Sequence, residues 1–113
     1  MTAQTPTWTC VGAITDIPKR GARCVENGDT KIAVFRTADD DIYALEDKCP
    51  HRNGPLSQGI VHGECVTCPL HNWVISLATG TATGADEGST TTFPVRVKDG
   101  HIYLGLTFNQ TNA

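Results

Sequence analysis

The chain has 113 residues, with 12 acidic against 9 basic side chains and a net charge of −3. That length suits one domain with a modest core, and so mild a charge excludes the basic footprint of a nucleic-acid binder. No apolar run is long enough for a spanning helix, and Met1-Thr2-Ala3-Gln4-Thr5-Pro6 has neither the basic nor the apolar region of a secretory signal. The expected setting is therefore cytoplasmic, with no membrane partner and no nucleic acid. Five cysteines is an odd number, which fits a reducing compartment better than a disulfide framework.

The apolar residues follow the period of strands. Ala22 to Glu26 is a predicted strand that closes at Asn27-Gly28-Asp29. Lys31 to Arg36 and Asp41 to Leu45 flank a polar turn from Thr37 to Asp40. Cys10 and Cys24, in β-branched or apolar surroundings, are expected in strands or in the core. Gly54-Pro55, Gly59 and Gly63 punctuate the middle of the chain, as loops require. Glu64 to Thr67 alternates like a strand, and Trp73 to Leu77 reads as another that ends at Thr79-Gly80. Residues 79–92 are polar and glycine-rich, the composition of a flexible surface loop. Phe93, Val95 and Val97 alternate, Ile102 to Leu106 does the same, and Asp99-Gly100 between them is a strong hairpin signal. His62 and His101 flank glycines and are expected exposed and uninvolved. No stretch carries a sustained helical stripe. Short strands with frequent turns predict an all-β, antiparallel sandwich or barrel.

Two short pairs interrupt this scaffold: Cys49-Pro50-His51 and, after sixteen intervening residues, Cys68-Pro69-Leu70-His71. Each supplies one sulfur and one imidazole. Such a Cys2His2 set can hold a single zinc or a [2Fe–2S] cluster. Zinc fingers pair like with like, at C-x2–4-C and H-x3–5-H, whereas both pairs here are mixed. Cys65, three residues before Cys68, leaves a C-x2-C zinc site as the rival reading. If the two loops converge, the cysteines can hold one iron and the histidines the other, which is the Rieske arrangement. The pattern C-x-H…C-x2-H, with proline after each cysteine, resembles the Rieske ferredoxin family.

That resemblance runs from about Trp8 to Leu106. It implies one [2Fe–2S] cluster per chain, with Cys49 and Cys68 on the inner iron and His51 and His71 on the outer one. It implies a single domain over residues 7–107, a cluster-binding segment of about 47–75, and tails at 1–6 and 108–113. In the high-potential branch an extra cysteine in each loop forms a disulfide; the matching positions here are Gly54 and Leu70. Serine and tyrosine hydroxyls bond the sulfurs of that branch, where this chain has Trp73 and Ile75. The low-potential type is thus implied, and Ile75→Tyr suggests itself as a way to restore a hydroxyl. Pro50, Leu56, Pro69 and Leu70 are expected either to form an apolar rim around the cluster, with Arg52 as a charged docking contact, or only to pack the two loops against each other.

Within the low-potential type, Cys68 to Trp73, Thr79-Gly80, Ala85-Asp86-Glu87-Gly88 and Thr92 to Val97 resemble the small subunit of assimilatory NAD(P)H-dependent nitrite reductase. Acidic Ala85 to Gly88, without proline, stands where many Rieske ferredoxins carry a proline-containing covering loop. The resemblance implies an oxidoreductase subunit that passes electrons in the reduction of nitrite to ammonium and is not catalytic alone. Its large partner would carry flavin, a [4Fe–4S] cluster and sirohaem. A free ferredoxin serving an aromatic-ring dioxygenase and a purely structural subunit are the alternatives.

Overall fold

The computed structural model describes residues 7–28, 30–49, 55–69, 73–83 and 88–106. Among the described residues, ten strands run in chain order: β1 Thr7–Ala13, β2 Gly21–Asn27, β3 Thr30–Arg36, β4 Ile42–Glu46, β5 Ile60–His62, β6 Cys65–Thr67, β7 Val74–Ser76, β8 Thr92–Phe93, β9 Val95–Lys98 and β10 His101–Leu106. Two single 3₁₀ turns, Ile14–Asp16 and Leu56–Gln58, are the helical pieces among the described residues. The fold is all-β, as its sequence predicts, and every paired strand in it is antiparallel.

Three sheets form, in the orders β1-β10-β9, β2-β3-β4-β8 and β5-β6-β7. The second is the middle layer, and the sequence of β3 explains why. Successive strand residues face opposite sides, yet Ile32, Ala33, Val34 and Phe35 are all buried. Ile32 and Val34 join Ile42, Ala44, Ile102, Leu104 and Leu106 in a core against the first sheet. Ala33 and Phe35 join Leu45, Val61, Val66, Ile75 and Leu77 in a second core against the third sheet. A continuous apolar run is what a strand covered on both faces needs.

Phe35 is the largest side chain in this second core and is fully buried. Phe35→Ala is expected to cost about 3–5 kcal/mol, a large share of the ~5–15 kcal/mol that holds a typical domain. Urea unfolding checks it; a loss below about 1 kcal/mol would mean that the two layers are not joined there.

Arg36 ties the segment before β2 to the turn between β3 and β4. Its guanidinium donates to the Ile14 and Ile17 carbonyls at 3.2 and 2.7 Å and to Asp40 at 2.9 Å. Thr37 Oγ1 accepts from the amides of Asp39 and Asp41 and shapes the turn predicted there. The Asp99-Gly100 hairpin forms as expected, both residues having positive φ, 54° and 78°, the conformation that a tight two-residue turn demands.

Two expectations are corrected, while the strand placement of Cys10 and Cys24 and the exposure of His62 and His101 are as expected. Phe93, Val95 and Val97 do not share one strand: Pro94 lacks an amide proton, so β8 pairs with β4 while β9 pairs with β10. Cys10 and Cys24 lie in strands but are exposed, on outward faces rather than in the core. His62 and His101 are exposed as expected, but each belongs to a strand end, not a turn. The described flanks of residues 79–92 are paired rather than loose. The amides of Ser76 and Thr83 donate to the carbonyls of Thr81 and Val74, and those of Ala82 and Thr90 donate to Gly88 and Gly80. The described flanks of this segment thus extend the third sheet beyond β7, and backbone pairing overrides the polar composition.

Candidate metal centre

Cys49 lies three residues beyond β4, and Cys68 directly follows β6. Both are buried, at 0% and 1% exposure, and both belong to the second core, beside Phe35, Leu45, Leu56, Val66, Ile75 and Leu77. The middle sheet and the third sheet therefore deliver one sulfur each to the same apolar wall. His51 and His71 lie outside the described residues, as do Pro50, Arg52, Gly54 and Leu70. Leu56 does not belong to an exposed rim. It is fully buried and anchors the first loop from below, while Pro69 is exposed.

Each loop is closed at its base. In the second, the Cys68 amide donates to the Trp73 carbonyl at 2.7 Å, which brings the two ends of the 68–73 segment together. In the first, the Asp47 carboxylate accepts from both the Ser57 amide and the Ser57 hydroxyl, each at 2.7 Å. The 3₁₀ turn over Leu56–Gln58 then leads to Gly59, where an added Cβ would collide with the Thr67 carbonyl and approach Val66 Cγ2 to 2.9 Å. Glycine lets the end of the first loop press against the strand that leads into the second. Tyr43 braces the same region from the middle sheet: desolvation and the nearby Glu64 carboxylate, to which its hydroxyl donates, raise its pKa.

Among the described residues, the rival C-x2-C zinc site is not assembled. Along β6 the faces alternate, Cys65 out, Val66 in, Thr67 out, and Cys68 in the buried core. Cys65 and Cys68 thus occupy opposite sides, and Thr67, on the outer side with Cys65, shares a 2.7 Å hydrogen bond with His62. Two buried sulfurs from separate loops in an apolar wall are instead the soft donors that suit an iron–sulfur cluster. The two described donors fit the group.

A small β protein with cysteines at the bases of two pinned loops is Rieske-like in architecture. The family model for the Rieske-like [2Fe-2S] domain matches residues 7–105, and the chain belongs to that family. It is a Rieske-type electron-transfer ferredoxin, and the family implies one [2Fe–2S] cluster. The anthranilate 1,2-dioxygenase ferredoxin subunit of Burkholderia cepacia is 34% identical over 88% of this chain and 92% of its own length. Among solved structures, a chain from the complex of oxygenase and ferredoxin in carbazole 1,9a-dioxygenase is 31% identical, with a TM-score of 0.78 over 86% of this chain and all of that one. A chain assigned as an NADPH nitrite reductase small subunit is 27% identical, with a TM-score of 0.76 over 87% of this chain and 97% of that one. Among the described residues, no helix is long and apolar enough to cross a membrane.

Asp47 also touches Cys24 across the sheet. Desolvation raises the Cys24 thiol pKa most, and the Asp47 carboxylate adds to the rise through its charge and by accepting the thiol proton in a hydrogen bond. A raised pKa means less thiolate at a given pH, and thiolate is the reactive form. Cys24 is therefore expected to react with iodoacetamide more slowly than an unstructured cysteine peptide near pH ~8.5, although it is exposed. Peptide mapping of the modified chain checks this, and labelling as fast as the peptide contradicts it.

Proposed function

We propose that this chain is the electron-transfer subunit of an assimilatory NAD(P)H-dependent nitrite reductase. Cys49 and Cys68 bind one iron of a [2Fe–2S] cluster, and His51 and His71 bind the other. The observation that carries the ligand assignment is the placement of two buried sulfurs in one apolar core, each at the base of a separately closed loop. When bound, the cluster supplies a one-electron couple. The chain's own contribution is to orient the sulfurs, surround them with apolar side chains and keep water from them. The large partner would carry flavin, a [4Fe–4S] cluster and sirohaem and perform the chemistry on nitrite in the cytoplasm.

The nitrite reductase reading is supported by the pattern from Cys68 to Val97, including acidic, proline-free Ala85-Asp86-Glu87-Gly88, and by the 27% likeness to the small-subunit structure. The second reading, a free ferredoxin for an aromatic-ring dioxygenase, is favoured by the 34% identity to the anthranilate dioxygenase ferredoxin subunit over nearly all of both chains. Co-purification from the native host with cofactor analysis separates them. A sirohaem-containing partner is the expected result; capture of an oxygenase instead would overturn the first reading. A ligand variant that still assembles with the partner but passes no electrons would distinguish an electron carrier from a purely structural subunit.

A further inference from the structure

The two loops are closed by unlike means. The second is closed by a backbone bond, Cys68 amide to Trp73 carbonyl, which no side-chain substitution removes. The first spans from Asp47 to Ser57 and is buckled by side chains, through two 2.7 Å bonds that converge on one carboxylate. Asp47 is itself fixed, because its amide donates to the Lys31 carbonyl of β3 at 2.8 Å. Ser57 sits inside a 3₁₀ turn whose first residue, Leu56, is fully buried. Both ends of the buckle are therefore rigid, and the carboxylate sets their separation and relative orientation.

We propose that Asp47 is a positioning residue for the metal centre: by holding the amide and hydroxyl of Ser57 it fixes the two ends of the segment that carries Cys49 and His51. The inference rests on the ligand assignment made above. Its physical basis is loop closure. Nine residues separate the clamped pair, and an unclamped segment of that size gains conformational freedom that ligands must remove each time they engage a metal. Hydrogen bonds to a charged acceptor are the stronger kind, and placing two on one residue, through the backbone amide and the side-chain hydroxyl of Ser57, restrains rotation as well as distance. Apolar anchoring by Leu56 holds the turn in the core without setting that orientation.

The experiment uses the full chain carrying its cluster. It compares wild type with Ser57→Ala, Ser57→Thr and Asp47→Ala, and with Asp40→Ala, which breaks the remote Arg36–Asp40 clamp. Cluster release to an iron chelator is followed by visible absorbance, the reduced cluster by electron paramagnetic resonance, and unfolding by circular dichroism. Ser57→Ala is expected to release its cluster roughly tenfold faster, a decade being about 1.4 kcal/mol, and Asp47→Ala faster still. Ser57→Thr, which keeps a hydroxyl, restores slow release. Resonance positions shift in Asp47→Ala and Ser57→Ala but not in Asp40→Ala, even where the latter lowers the melting temperature. Should Asp47→Ala not fold, the Ser57 pair decides the matter alone. Release and resonance unchanged in Ser57→Ala would overturn the proposal, as would release that merely follows the melting temperature across all variants. A wild-type chain that takes up no cluster at all overturns the ligand assignment instead.

Discussion

Cys68→Ser is expected to give a colourless protein that retains neither iron nor acid-labile sulfide, where the wild type carries the two irons and two sulfides of one cluster. Serine offers a hard, poorly ionised oxygen in place of a soft thiolate, and iron–sulfur clusters depend on thiolate donors. The position magnifies the effect. Cys68 is 1% exposed within an apolar wall, so the new hydroxyl is cut off from water and needs a partner there. Cys49→Ser is expected to behave alike, for the same reasons of chemistry and burial. Cys65→Ser and Cys24→Ser are the controls. Cys65 lies on the outer side of β6 and Cys24 is exposed on β2, so both variants should stay brown. Iron and sulfide analysis of protein matured in a cluster-competent host measures all four. Stoichiometric zinc without labile sulfide in the wild type would sink the assignment.

The strands that the sequence predicts best are those with local signals. Lys31 to Arg36 and Asp41 to Leu45 carry dense β-branched and apolar residues, and Asp99-Gly100 carries its own turn, so each is recovered within a residue or two. What local pattern does not hold is pairing. Nothing near Phe93 and Val95 says that they join different sheets; only the missing amide proton of Pro94 hints at the break. The strand β1 escaped because Thr7–Ala13 mixes threonine, cysteine and glycine without clean alternation, and its register shifts between Cys10 and Gly12. The 79–92 segment reads as loose because its composition is polar, yet its described flanks are held by backbone bonds to β7 and to each other, which composition does not report.

The proposed ligands stand out in the sequence, whereas the residues that support their loops do not. Cys49, His51, Cys68 and His71 stand out because mixed Cys–His pairs with proline inside them are rare and chemically specific. Their supports are ordinary residues. Asp47 and Ser57 are ten positions apart with no signature that links them, and only the folded chain shows the carboxylate closing on both donors. Leu56 admits two readings in the sequence, a rim around the cluster or packing beneath the loops, and its burial in the second core selects the packing role.

The reduction potential follows from what surrounds the sulfurs. Hydrogen bonds to cluster sulfurs stabilise the more negative, reduced form, and without them the potential falls. Ile75 brings only hydrocarbon to the position where the high-potential branch has a hydroxyl, and it is fully buried opposite Val66. A midpoint toward the bottom of the Rieske range, roughly −150 mV rather than +300 mV, is therefore expected. Ile75→Tyr, the substitution that sequence alone suggests, is a poor test of this. A ring forced into so closed a site overpacks the core at about 1–3 kcal/mol. Trp73→Ser is the better one. Trp73 is only partly buried, and the bond that closes the second loop uses its backbone carbonyl, which serine keeps. The variant should hold a full complement of iron and show a midpoint shifted upward, read by redox titration of the visible spectrum. A wild-type midpoint above zero would contradict the link between absent hydroxyls and low potential. A Trp73→Ser midpoint that stays put, with iron content intact, would locate the control of potential elsewhere in the loops.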